Sequence, residues 1–232
     1  MEELNLVQRI AVWALPVLFA ITLHETAHGW MALRLGDPTA KMLGRLSINP
    51  IRHIDPLGTI IIPGLLLIMG GFLFGWAKPV PITWENLKHP KRDMALVAAA
   101  GPLSNFVMAL IWALAIQLGA LVGHTSDSVA MYLIYSGAAG IFINTLLMVL
   151  NMLPLPPLDG GRVATGLLPG PLSYKFSLIE PYGFMILVLL LMSGILGKIL
   201  WPVISLFLAL FAAVAGISTD VMQVLLYTLM NG

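Results

Sequence analysis

Three ionisable side chains lie within an apolar run near the start of the chain, in "LFAITLHETAHGW", residues 18–30. His24 and His28 are four residues apart, so on a helix both imidazoles project from one face and can bind one divalent ion. Glu25, beside the first histidine, can accept a proton from a water on that ion, as in the H-E-x-x-H pattern of zinc hydrolases. The alternatives are a polar helix–helix contact and a proton relay in a transporter.

The composition predicts an integral membrane protein. Of the 232 residues, 59% are hydrophobic and 10% are charged, and the mean hydropathy is +0.93. A soluble domain is about 45–50% apolar and about 25% charged. A net charge of +1 gives no support for nucleic-acid binding, and the lack of cysteine excludes disulfides and thiolate ligands. Ionisable groups are costly in hydrocarbon, so His24, Glu25 and His28 all require partners.

Apolar segments of the length that spans a bilayer, about 20 residues, predict five crossings, near 10–33, 94–118, 130–153, 178–197 and 200–227. A further apolar segment, 58–76, is short and broken by proline and glycine. Its basic flanks, 34–57 and 78–93, are both expected on the cytoplasmic side. We therefore predict that 58–76 enters the membrane and returns, and a full kinked crossing is the alternative. The predicted fold class is that of an all-α polytopic membrane protein, in which residues 1–232 form a single domain.

One short segment has a different pattern. Apolar and polar side chains alternate from Leu43 to Ile48, and the chain then reaches Asn49 and Pro50. This alternation predicts a short β-strand followed by a turn. A loop that covers the site is the alternative.

Asp159 is the best candidate for the third protein ligand that a catalytic zinc ion requires. It lies in "LNMLPLPPLDGGR", residues 150–162, where three prolines interrupt the helix and Gly160 and Gly161 allow a tight turn. If 58–76 is re-entrant, the first and third crossings end on one side, which brings Asp159 to the two histidines. The alternative is an exit loop with a capping aspartate. The remaining histidines are expected on the surface: His53, His89 and His124.

Three motifs together give the chain a strong resemblance to the site-2 protease family of intramembrane zinc metalloproteases. They are "HETAH", "GPLSNF" (101–106) and "NMLPLPPLDGG" (151–161), and the resemblance covers a catalytic core over residues 10–165. A further stretch, "GWAKPVP" (75–81), resembles the compact branch of the family, which lacks PDZ and CBS domains.

The resemblance implies a role for each motif residue. His24, His28 and Asp159 would bind one Zn²⁺ ion per chain, and Glu25 would be the general base. Asn105 would lie near the scissile carbonyl and donate a hydrogen bond to the substrate or the oxyanion. From the residues alone, an interhelical hydrogen bond is the ordinary role of an asparagine such as Asn105 in a membrane.

The function implied is zinc-dependent hydrolysis of peptide bonds in transmembrane segments or membrane-protein remnants. The partners are then transmembrane protein or peptide substrates and the lipid bilayer, with substrate held along 43–51 by strand addition. The expected location is a prokaryotic cytoplasmic membrane, with the active site towards the cytoplasm. The helical pair at 178–227 completes the bundle or shapes substrate entry. Two rivals are a transporter or channel that handles metal or protons, and a catalytically silent relative.

Overall fold

The computed structural model describes residues 4–61, 78–123 and 125–231. These residues form helices and irregular segments, and no strand occurs among them. The α-helices are α1 (Leu6–Leu35), α2 (Thr39–Met42), α3 (Pro90–Val122), α4 (Asp127–Asn151), α5 (Asp159–Leu167), α6 (Gly170–Ser177), α7 (Glu180–Met192), α8 (Ile195–Ala215) and α9 (Thr219–Asn231). Short 3-10 turns lie at Pro50–His53 and Trp84–Asn86, and a π-helical turn lies at Pro56–Ile61.

Four of the described helices are long and apolar enough to cross a membrane: α1, α3, α4 and α8. The pair formed by α6 and α7, bent by 60°, passes the same test when the two are taken together, which gives up to five spans. The predicted crossings at 10–33, 94–118 and 130–153 correspond to α1, α3 and α4. This arrangement fits a multi-pass membrane protein.

The C-terminal helices differ from the prediction. Crossings were expected at 178–197 and 200–227, but the helix breaks once within each of these ranges. Gly194 and Gly216 adopt left-handed conformations, with φ of 71° and 72°. Glycine reaches this conformation without steric cost, and it commonly ends a helix. The long C-terminal span is therefore α8, and α9 is a separate helix of 13 residues.

Three helices, α1, α3 and α4, form the part of the bundle that positions the candidate site. Ala20 and His28 of α1 bond to Asn105 and Val97 of α3 respectively, so these two helices are antiparallel. The α4 helix pairs with α3 in the opposite direction, and Gly140 packs directly on a side chain of α3. As a result α1 and α4 run parallel, and the chain that leaves α4 arrives near the C-terminal half of α1.

The segment between α1 and α3 begins and ends at the same end of the bundle. The N–H of Lys88 donates to Leu35 O at 3.0 Å, and the N–H of Lys78 donates to His53 O at 2.9 Å. The re-entrant interpretation of 58–76 requires such closely placed flanks. Residues 62–77 lie outside the described residues, so the path of this segment stays a prediction.

Asp37, just beyond α1, anchors the chain that leads into α3. Its side chain is buried and accepts hydrogen bonds from Thr39, from the Thr83 N–H at 2.8 Å and from Asn86 Nδ2 at 3.0 Å. Burial raises the pKa of Asp37, but the hydrogen bonds from Thr39, Asn86 and Thr83 outweigh it, and the net pKa is lowered. The anchor fixes the segment around Thr83 against the end of α1.

The predicted β-strand from Leu43 to Ile48 is wrong, because the structure places no strand there. The backbone groups of a strand form hydrogen bonds with a neighbouring strand. Here side chains form hydrogen bonds with the backbone of this segment instead. Ser47 O accepts hydrogen bonds from Thr26 Oγ1 at 2.9 Å and from His53 Nε2 at 2.7 Å. His53 is consequently buried, with 2% of its surface exposed, and the prediction of a surface position for it is also wrong.

Candidate metal centre

Two buried histidines of α1 form one half of the centre. Nδ1 of His24 lies 2.6 Å from Asn105 Oδ1, and Nδ1 of His28 lies 2.8 Å from Val97 O. These oxygens only accept hydrogen bonds, so the network assigns the ring proton to Nδ1 in both histidines. Both Nε2 atoms then keep a free lone pair, and they lie 3.1 Å apart.

Asp159 completes the group from the other side. The α4 helix ends at Asn151, a proline-containing turn follows, and Asp159 is the first residue of α5. A Cβ atom on Gly160 or Gly161 would overlap the backbone of that turn, so both positions require glycine. The turn holds Asp159 Oδ2 at 3.1 Å from His24 Nε2 and at 3.3 Å from His28 Nε2.

The chemistry of this group fits a metal ion. Oδ2 of Asp159 is buried and finds no hydrogen-bond donor among the described residues. With both ring protons on Nδ1, it faces two imidazole lone pairs, so three acceptor atoms converge, and a cation between them would relieve their repulsion. Tetrahedral zinc with bonds of about 2.0–2.1 Å places its ligand atoms roughly 3.3 Å apart. His24, His28 and Asp159 are spaced close to this value, and together they form a group able to hold a metal ion.

Gly101 lets α3 cover the centre. A Cβ atom at this position would overlap the rings of both His24 and His28. The residue belongs to the "GPLSNF" motif, of which only Asn105 was expected to act at the site. A glycine four residues before an asparagine, and so on the same face of a helix, was the signal that could have revealed this contact.

Glu25 lies beside His24 but outside the group of ligand atoms. Its Oε2 atom accepts a hydrogen bond from the N–H of Val80 at 2.8 Å. The Val80 side chain is buried and packs against Gly29 of α1, which fixes this backbone donor in place. The main chain at Val80 therefore orients the carboxylate, a contact that no pattern in the sequence predicts.

Asn105 is fully buried between α1, α3 and α4. Its Oδ1 atom accepts from His24, and its Nδ2 atom donates to Ala20 O at 3.1 Å and to Asn144 Oδ1 at 2.9 Å. Both N–H groups are thus engaged inside the protein. The expected donation to substrate stays a prediction, and it requires one of these two bonds to open.

Comparisons with known proteins place the chain in a family. It is 37% identical over 190 residues to "Putative zinc metalloprotease YwhC" of Bacillus subtilis, and the aligned region covers 82% of this chain and 84% of that protein. It is 30% identical over 191 residues to "Putative zinc metalloprotease Rip2" of Mycolicibacterium smegmatis, which covers 82% of this chain and 68% of that protein. No protein-family model and no solved structure matches the chain. The chain belongs to the site-2 protease family of zinc metalloproteases, which confirms the predicted family.

Proposed function

We propose that the protein is a zinc-dependent endopeptidase that hydrolyses peptide bonds of transmembrane segments or of membrane-protein remnants. Its zinc ligands are His24, His28 and Asp159, and its general base is Glu25. The observation that carries the proposal is the convergence of three buried acceptor atoms, two of them on a helix apolar enough to span a membrane. Membership of a zinc metalloprotease family supports the same chemistry.

Each side chain has a defined task in this proposal. His24, His28 and Asp159 would hold a zinc ion, which would supply Lewis acidity to the attacking water and to the peptide carbonyl. Glu25 accepts the proton of the attacking water and passes it to the leaving amine. The Val80 N–H keeps the carboxylate oriented for both transfers. His24 and His28 present Nε2 because their Nδ1 atoms donate to fixed oxygens.

We further propose that the centre faces the cytoplasm of a bacterial cell. The parallel α1 and α4 bring the ligands towards the end of the bundle where α1 finishes and α3 begins. The chain around that end, over 34–57 and 78–93, carries eight of the twelve lysines and arginines. Such clusters favour the cytoplasmic side. Water and the products of hydrolysis would exchange through this end.

The proposal is tested by zinc content and by proteolysis in the same preparations. Wild type, Glu25→Gln, Asp159→Ala and the control Asp220→Ala are purified without chelator and reconstituted in liposomes with transmembrane peptides. Products are identified by mass spectrometry. Asp220 is an exposed carboxylate at the start of α9, so its removal controls for loss of one acidic group.

We expect near-stoichiometric zinc in wild type, Glu25→Gln and Asp220→Ala, and a marked loss in Asp159→Ala. Cleavage should fall by about 10²–10⁴-fold in Glu25→Gln, as is typical when a general base is removed. Cleavage by Glu25→Gln at the wild-type rate would contradict the mechanism. If Asp159→Ala keeps its full zinc content, Asp159 is not the third ligand. If the wild type contains no metal, the result favours a transporter.

A further inference from the structure

Asn144 lies in α4, away from every sequence motif, yet it bonds to the residue that holds His24. We propose that Asn144 is a positioning residue, which acts through Asn105 to keep the His24 imidazole in the tautomer that binds zinc. The inference rests on the proposed zinc site. It adds a third helix, α4, to the elements that orient the ligands on α1.

The first step of the relay fixes the amide of Asn144. This residue is fully buried, and its Nδ2 atom donates to Gly140 O of the preceding turn at 2.8 Å. A backbone carbonyl only accepts, so the amide must present nitrogen to Gly140. Its oxygen is then turned towards α3, where it accepts from Asn105 Nδ2 at 2.9 Å.

The second step fixes the amide of Asn105. One end of this amide faces two acceptors, Ala20 O and Asn144 Oδ1. The nitrogen must occupy that end, since an oxygen there would meet two other oxygens. The Asn105 oxygen therefore faces His24, which must donate from Nδ1 and keep a lone pair on Nε2.

The two histidines differ in how firmly their tautomers are set. His28 donates to Val97 O, a main-chain atom of α3 that cannot turn over. His24 depends on a side-chain amide, which offers oxygen in one orientation and nitrogen in the other. Without Asn144, Asn105 keeps one carbonyl partner, Ala20 O, and the preference for the correct orientation weakens. In the turned orientation the amide nitrogen donates to His24 Nδ1, so the ring proton moves to Nε2 and blocks the metal.

A chelator competition measures the effect without any substrate. Zinc dissociation constants are compared for wild type, Asn144→Leu and the control Thr145→Val. Thr145 is the next residue of α4, equally buried, and its hydroxyl has no hydrogen-bond partner among the described residues. Loss of the group that bonds a metal ligand directly typically weakens binding by about 10–100-fold. Asn144 acts one hydrogen bond further out, through Asn105, so we expect the lower end of this range, about 10-fold, for Asn144→Leu. Thr145→Val should bind zinc as wild type does.

The tautomer itself provides a second measurement, which is independent of how well Asn144→Leu folds. Histidine-specific ¹⁵N spectra of the metal-free wild type, assigned with His24→Asn, should show the His24 proton on Nδ1. In Asn144→Leu, part of that proton population should move to Nε2. Purely structural bonding of Asn144 between α3 and α4 would leave the proton on Nδ1 in both proteins.

The outcomes separate the relay from the proposed function. Wild-type zinc affinity in folded Asn144→Leu, or a His24 proton on Nε2 in the metal-free wild type, would overturn the relay while the zinc site stands. A wild type that binds no zinc would overturn the proposed function, and the tautomer measurement would still decide the relay.

Discussion

The contact between Gly101 and the two imidazoles makes Gly101→Ala a sensitive test of the centre. A Cβ atom at this position would lie 2.7 Å from His24 Cε1 and closer still to two atoms of the His28 ring, whereas ordinary contacts begin at 3.4 Å. With α3 at its present distance from α1, the rings must therefore shift by more than half an ångström. Metal–ligand distances tolerate only about 0.2 Å. The alanine is thus incompatible with both rings remaining at their ligand positions.

The expected loss of zinc affinity in Gly101→Ala depends on whether the metal-free or the metal-bound protein carries the steric strain. Without metal, the rings can turn away and release the overlap, but with metal bound they cannot. The overpacking cost, about 1–3 kcal/mol for an added methyl group, then appears in the affinity for zinc. This corresponds to a dissociation constant about 5- to 150-fold higher.

Chelator competition on detergent-purified protein provides the assay, and Gly197→Ala provides the control. Gly197 lies in α8, where a new Cβ atom would meet no described atom within 4 Å. Gly101 lies in the interior of α3, where replacing glycine by alanine favours the helix by about 1 kcal/mol in soluble proteins, and Gly197 lies in the first turn of α8. Neither replacement is expected to weaken zinc binding through helix propensity, so a loss confined to Gly101→Ala reports the steric contact. Zinc affinity in Gly101→Ala equal to that of Gly197→Ala would refute this account of the centre.

Three further predictions concern the surroundings of the ligands. Gly161→Ala should lose zinc, because its Cβ atom would overlap the backbone of the proline turn, while Gly170→Ala, which meets nothing, should bind normally in the same competition. Asp37→Asn should lower the melting temperature at neutral pH. The lowered pKa of Asp37 means that its carboxylate stabilises the fold above pH 3.8 and loses this contribution in acid. The melting temperatures of wild type and Asp37→Asn should therefore converge at acid pH. Asn105→Ala should weaken zinc binding. A variant that keeps its zinc but cleaves about 10²–10³-fold more slowly would instead indicate that Asn105 acts only as an oxyanion donor.

The grouping of His24, His28 and Asp159 could be predicted because it depends on simple geometry. Helical spacing places the two histidines on one face, and the number of crossings decides on which side Asp159 emerges. Proline and glycine around Asp159 also indicated where α4 must end. The helical spacing and the prolines are periodic and covalent properties of the chain, which hold whatever the rest of the bundle does. The number of crossings depends in addition on the path of 58–76.

The errors arose where a partner elsewhere in the chain decides the structure. Alternation at Leu43–Ile48 shows that a strand would suit the side chains, but it cannot show that a second strand is available. Here Thr26 and His53 satisfy Ser47 instead. Gly216, followed by Ser218, Thr219 and Asp220, is typical of a helix end, but the apolar residues on both sides favour one continuous crossing. The role of Asn144 depends on a contact between α3 and α4 that no local pattern encodes.

Close packing and polar chemistry depend on each other in this bundle. Between helices in a membrane the hydrophobic effect supplies little attraction, so small residues and interhelical hydrogen bonds do most of the work. Gly101 and Gly140 allow α3 to approach α1 and α4 closely, and that approach brings Asn105 within reach of His24 and Asn144. A larger residue at either glycine would separate the helices and leave buried amides without partners. The same interhelical distance therefore sets both the stability of the core and the orientation of the metal ligands.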